Sequence, residues 1–241
     1  MIEDLLKKRN NVTFFSKDRI PDKKLIEELL EKAHAFTPHK NNFWHYDLHV
    51  YGPEHEESKR NLAKSSVCND HKDHYRQENV SDEDWGKLEK AYQDWLDYWN
   101  GDTSKDYVIK DKWHFNQQVT APYILAYYPA EVKARPSQVE TEYFQKRAEK
   151  IFYRPDKVYK DQFNQQAGMH AMVTSMLALE KGLDVSFCKC YFYNEKVHSD
   201  ITLKQGSAFL MGIGYRDLKK RQHDIKCWIK KPRLDEIVTW K

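Results

Sequence analysis

The chemistry-bearing residues nearest the start of the chain are Arg9, Asn10, Asn11 and Thr13, a forked cation followed by three hydrogen-bonding side chains. A guanidinium presents parallel donors that match two oxygens of a phosphate, and neighbouring amides and hydroxyls add contacts of their own. A cation here also stabilises the C-terminal end of a short helix through its dipole, and residue type alone does not separate the two roles. A second basic run, KKPRLDEIV at 230–238, supplies Lys231 and Arg233, with Lys219, Lys220 and Arg221 shortly upstream. Polar side chains also gather at Thr37-Pro38-His39-Lys40-Asn41-Asn42 and at Asn116-Gln117-Gln118. Each of these segments also reads as an ordinary polar connection between elements. Cys188 and Cys190 flank Lys189, and thiols in a strand are small core residues more often than reactive groups. His71 and His74 lie among Cys68, Asp70 and Asp73, but no second pair at structural-zinc spacing accompanies them, so no metal site is expected.

These residues need elements to position them. Ile2, Leu5 and Leu6 predict a short helix over 2–9, and Pro21-Asp22 opens a second with Leu25, Ile26, Leu29, Leu30 and Ala33 at helical spacing. Pro38 ends it, and HYDLHVYG at 45–52 alternates as a half-buried strand. Residues 54–80 are polar and predict a helix plus loop near solvent. Ser81 reads as an N-cap with acids behind it, and Trp85, Leu88, Tyr92, Trp95 and Trp99 then mark one helix face. That face is either a binding platform or the buried side of a covering helix. PYILAYY from Pro122 predicts a strand at the sheet centre, and 130–160 a charged excursion. FNQQAGMHAMVTSMLALEKGLD at 163–184 predicts a buried helix stopped by Gly182, its Met169, Met172 and Met176 serving core and dimer contact. Strands are expected at 185–193 and 208–215.

Composition narrows the class. With 241 residues, 40% hydrophobic content and 32% charged content, the chain reads as one domain, 1–241, carrying a helical insertion at about 54–114. The formal charge of +3 gives no long-range attraction to polyanions, so no nucleic-acid role is expected. The 4 cysteines form no disulfide framework, no apolar run approaches the roughly 20 residues that span a bilayer, and MIEDLLKKRNN is no signal segment. A cytoplasmic setting without membrane contact is expected.

The order of these features resembles the nitroreductase family of FMN-dependent oxidoreductases. That family places a phosphate-binding Arg-rich segment just before an Ile-Pro turn and helix, where this chain has Arg9, Asn11, Thr13 and Ile20-Pro21. Thr13 stands where a second cation is usual, a departure that Lys231 or Arg233 would offset from the other end of the chain. The loop at Pro38, Lys40 and Asn42, the ring-edge pair Asn116 and Gln118, and the ring-side strand at Lys189 and Cys190 complete the resemblance, together with Asn10 at the phosphate. It covers roughly 2–52 and 115–240.

The resemblance implies an α+β fold, a mostly antiparallel central sheet wrapped by helices, and an intertwined homodimer with flavin at its interface. It implies hydride transfer from NADH or NADPH through FMN to a nitroaromatic or quinone-like acceptor, with no side chain in a catalytic role. The inserted helices would cover the substrate side. Two alternatives stay open: reductive dehalogenation or oxygen-dependent flavin chemistry on the same fold, and a non-catalytic binding protein that has lost its flavin.

Overall fold

The computed structural model describes residues 2–9, 12–39, 44–67, 71–75, 79–116, 120–129, 156–189, 209–220 and 232–239. The helices described are α1 (Ile2–Lys8), α2 (Lys23–Phe36), α3 (Glu56–Lys64), α4 (Lys72–Tyr75), α5 (Asp82–Trp99), α6 (Asp106–Lys110), α7 (Asp156–Glu180) and α8 (Leu234–Ile237). The strands are β1 (Tyr46–Tyr51), β2 (Tyr123–Pro129), β3 (Asp184–Cys188) and β4 (Phe209–Gly214). They form one four-stranded sheet in the order β1-β2-β4-β3, with every neighbouring pair antiparallel. The expected α+β class and antiparallel sheet are observed.

β2 lies inside the sheet and is buried from Tyr123 to Tyr128, as its near-continuous apolar run requires when both faces are covered. Period-two alternation divides it cleanly. Ile124, Ala126 and Tyr128 join Leu210 and Cys188 on one face, packed under Leu62, Leu88, Tyr92, Trp95 and Val108 of α3, α5 and α6. Tyr123, Leu125 and Tyr127 join Met211 and Ile213 on the other, packed under Ile26 and Leu29 of α2 and Phe163, Ala167 and Ala171 of α7.

Local chemistry sets the ends. Ser81 Oγ accepts from Asp84 N at 3.1 Å and caps α5, with Asp82, Glu83 and Asp84 against the positive end of the dipole. Asp22 caps α2 by accepting from Lys24 N at 2.9 Å. Gly182, at φ 74°, closes α7 so that Leu183 N reaches Ala178 O at 2.9 Å. A Cβ on Gly214 would lie 2.6 Å from Pro122 Cγ, so only glycine fits where β4 passes the start of β2.

The N-terminal segment laces across the sheet end. Val12 N donates to Val185 O on the outer edge of β3, Ser16 N to Tyr215 O, and Asp217 N to Phe14 O. Asp184, buried, takes the Arg216 guanidinium in a two-pronged ion pair that joins the start of β3 to the residues after β4.

Three expectations need correction. α7 begins at Asp156, not at Phe163, while 130–155 lies outside the described residues. β3 ends at Cys188 and Lys189 has left the strand; 190–193 lies outside the described residues. The described part of 54–80 is a helix and connecting segments with an exposed side, as expected, but its other side is buried at Leu62, Ala63, Val67, Tyr75 and Val80. Two of its charges turn toward α5, where Arg60 and Lys64 both pair with Glu89.

Candidate functional site

Arg9 ends α1, its N–H donating to Leu5 O at 3.1 Å and Leu6 O at 3.2 Å, and its side chain is half-buried. A half-buried guanidinium is less hydrated than a fully exposed one and binds an anion correspondingly better. Thr13 is 7% exposed within the extended segment that laces the sheet end, so this candidate is a buried residue. Asn10 and Asn11 lie outside the described residues.

β3 connects this segment to another group of candidates. Cys188, at its far end, receives a hydrogen bond from Asn116 Nδ2 at 2.8 Å, and the exposed Lys189 follows immediately. The backbone of Asn116 is held as well: its N–H donates to Ser66 Oγ at 2.9 Å. Val185 and Cys188 are three residues apart, so the N-terminal segment and Asn116 meet β3 at points about 10 Å apart along the strand. Gln118 and Cys190 lie outside the described residues.

The C-terminal candidate behaves differently. Arg233 is exposed, with Nε 3.1 Å from Asp235 Oδ1 and Nη2 3.5 Å from Glu236 Oε1, so its charge is paired within its own turn. Lys231 lies outside the described residues. Lys220 is also engaged, donating to Trp99 O at 2.6 Å at the negative end of α5. Burial lowers its pKa. Pro38 is exposed beyond Thr37, which caps α2 by donating Oγ1 to Ala33 O at 2.6 Å; Lys40 and Asn42 lie outside the described residues.

The two other clusters have structural occupations. His71 stacks on Trp113 at 3.8 Å and His74 Nε2 is 3.4 Å from Asp84. Among the described residues no three His, Cys, Asp or Glu side chains converge as metal ligands. The Trp face of α5 is its buried side: Trp95 is 2% exposed, and Trp85 and Trp99 pack against the same core. Trp95 is thereby no exposed platform, while Trp85 and Trp99 keep part of their surface exposed.

No protein-family model matches the chain, and no curated protein matches it. Solved structures do. A nitroreductase family protein from Streptococcus pneumoniae TIGR4 is 17% identical, covering 100% of both chains with a TM-score of 0.62. The chain has the nitroreductase fold. An FMN and NADPH-dependent nitroreductase, NfnB from Sphigopyxis sp. strain HMH, shares it at 17% identity and TM-score 0.56, covering 100% of this chain and 99% of that one. So does a protein from Exiguobacterium sibiricum 255-15 crystallised in complex with FMN, at 14% identity and TM-score 0.61, covering 100% and 97%. At these identities the likeness concerns the nitroreductase fold alone.

Sequence reasoning missed a polar cluster on the α2/α7 side of this fold. His170 is 3% exposed, with Nδ1 2.9 Å from the Tyr127 hydroxyl and its carbonyl accepting from Thr174 at 2.8 Å. Burial drives its pKa down to about 4, with repulsion from His39 and His34 adding to the shift. Trp44 is sandwiched between His39 at 3.5 Å and His34 at 4.2 Å, and Tyr46 lies 5.5 Å from His170. Gln166, one turn before His170, accepts from His45 N at 3.0 Å. The signal was present: Gln166, His170 and Thr174 recur every four residues through an otherwise apolar helix face.

Proposed function

We propose that the protein is an FMN-dependent oxidoreductase that takes hydride from NADH or NADPH and delivers it to a nitroaromatic or quinone-like acceptor. The observation that carries this reading is a full-length fold shared with an FMN-bound protein and an FMN and NADPH-dependent nitroreductase; Val12, shortly after Arg9, and Asn116 both hydrogen-bond to one short strand, which supports it. The residue types in this set would suit a phosphorylated ring compound. Arg9 would grip the phosphate with Asn10, Asn11 and Thr13, while Asn116 and Gln118 would meet the pyrimidine edge. Lys189 and Cys190 would run beside the ring, and Pro38, Lys40 and Asn42 would supply the loop opposite. Lys231 and Arg233 are the further candidate cations. Bound FMN would supply the hydride relay, and these residues would orient the ring and exclude water from it.

The whole chain is read as one domain, 1–241, with its insertion at 54–114. A homodimer is the proposed assembly, supported by apolar side chains left outside the core. Met169 and Met172 of α7 are 39% and 45% exposed, and Leu6 of α1, which packs on α7, is 46% exposed. This modifies the expectation for Met169 and Met172, which serve the outer surface and not the protomer core. A cytoplasmic location is proposed with it; no helix among the described residues is long and apolar enough to cross a membrane.

Purified protein is expected to be yellow or to become so on titration with FMN. Arg9→Ala should raise the FMN dissociation constant about 10- to 100-fold, the worth of a charged hydrogen bond. An unchanged constant would remove Arg9 from the phosphate site. The second reading, a binding protein without flavin, draws on the burial of Thr13 and the internal pairing of Arg233. A folded dimer that leaves the FMN spectrum unaltered would favour it.

A further inference from the structure

Asn116 is held at both ends by residues from distant parts of the chain. Its backbone N–H donates to the hydroxyl of Ser66, fully buried just after α3, and that hydroxyl donates in turn to Ala63 O at 2.6 Å. Its side-chain Nδ2 donates to the thiol of Cys188, 3% exposed at the end of β3. An amide side chain has two near-degenerate orientations about its terminal torsion, related by exchanging the oxygen and the NH2 group. A neighbour that accepts from Nδ2 selects one of them and thereby sets the direction in which Oδ1 points. Fixing the backbone as well removes the remaining freedom, which is how a binding group is prepared before its ligand arrives.

We propose that Ser66 and Cys188 are positioning residues that preset the backbone and amide orientation of Asn116 for the pyrimidine edge of FMN. The inference rests on the flavin reading above and adds to it a role for two side chains that touch no cofactor. It also gives the thiol a task that requires an acceptor and not a nucleophile. Because Ser66 follows α3 directly, the arrangement links the helices between β1 and β2 to the candidate ring site through two successive hydrogen bonds.

The consequence is a specific non-additivity. Asn116→Ala should weaken FMN binding roughly 2- to 10-fold, the range for one neutral hydrogen bond. Cys188→Val, which replaces the thiol with a somewhat larger apolar group and removes the acceptor, should weaken it in the same range. If Cys188 acts on the cofactor through that amide, the double variant should bind no worse than Asn116→Ala. Cys188→Ser, whose hydroxyl accepts from the same Nδ2, should restore the wild-type constant. Ser66→Ala should lower affinity alongside Cys188→Val.

The experiment is an FMN titration of the full-length wild type and these five variants. It reads the dissociation constant and the shape of the bound visible bands, which a loss of stability alone does not alter. Non-additivity with serine rescue supports the proposal. Wild-type protein that binds FMN while Cys188→Val and Asn116→Ala act additively, or while Asn116→Ala is silent, overturns the positioning role and leaves the flavin reading intact. Wild-type protein that binds no FMN overturns both.

Discussion

The two faces of the sheet are covered by different chemistry. Over one lies a dense aromatic layer, with Phe115 5.1 Å from Tyr92 and 5.5 Å from Trp95 in edge-on contact. Beneath it the sheet contributes Ile124, Ala126, Leu210, Cys188 and the Tyr51 and Tyr128 rings, with His49 edge-on to Tyr128 at 4.8 Å. Over the other lie α2 and α7, where the apolar packing is interrupted by His39, His45, His170 and the hydroxyls of Tyr46, Tyr127 and Thr174. The first face gains most of its stability from area and shape, and its acid-sensitive groups are the carboxylates of Asp94 and Glu89 on α5, held ionised by their lysine and arginine partners. The second includes imidazoles that must stay neutral to remain buried, so part of its stability depends on pH. β3 belongs to both: Val185 faces the imidazole side and Cys188 the aromatic side, where the thiol meets Asn116.

The comparison breaks most visibly at Trp95. Trp95→Ala should cost about 3–5 kcal/mol of unfolding free energy by urea titration, with no dependence on pH between 5 and 8. A cost under about 1 kcal/mol would mean that this face is not the main store of apolar stability.

Removing the proton sensor on the opposite face should give a smaller and pH-dependent effect. The His170 pKa is about 4 in the folded protein against 6.5 for the free side chain, so the unfolded chain binds the proton first as pH falls. The contribution of a neutral His170 is therefore complete above pH 6.5 and is lost progressively toward about 4, amounting to about 3 kcal/mol at most. His170→Gln retains an acceptor for Tyr127 and should flatten that slope. Urea midpoints that fall equally in both proteins between pH 7 and 4.5 would transfer the acid sensitivity to other groups.

The smallest expected effect sharpens the comparison from the aromatic side. Ser81→Ala removes the α5 cap and should cost about 1 kcal/mol, with the loss appearing in exchange of the first-turn amides before it appears globally.

Much of the fold was legible because its signals are local. The Ser81 cap, the apolar run of β2 and the Gly182 stop each involve a few neighbouring residues, and each produced the expected element. The polar composition of 54–80 concealed a buried stripe, since Arg60 and Lys64 find their partner on α5 and the sequence does not advertise that pairing. Site residues were legible as types and obscure as geometry. Asn116 was identifiable as a candidate, but its tie to Cys188 spans 72 positions and its tie to Ser66 spans 50. The internal pairing of Arg233 with Asp235 and Glu236 was readable in the RLDE string, and it weakens the expectation that this cation serves the phosphate.

The central claim is that one flavin mononucleotide lies along β3 between the N-terminal segment and Asn116. Hydrogen-exchange measurements on the full chain with and without FMN test this most directly. The account predicts slower exchange in peptides carrying Arg9 to Thr13, Asn116 and Cys188-Lys189, with no change in the buried Trp95 turn of α5. Protection confined to other segments, or none at saturating FMN, would contradict it.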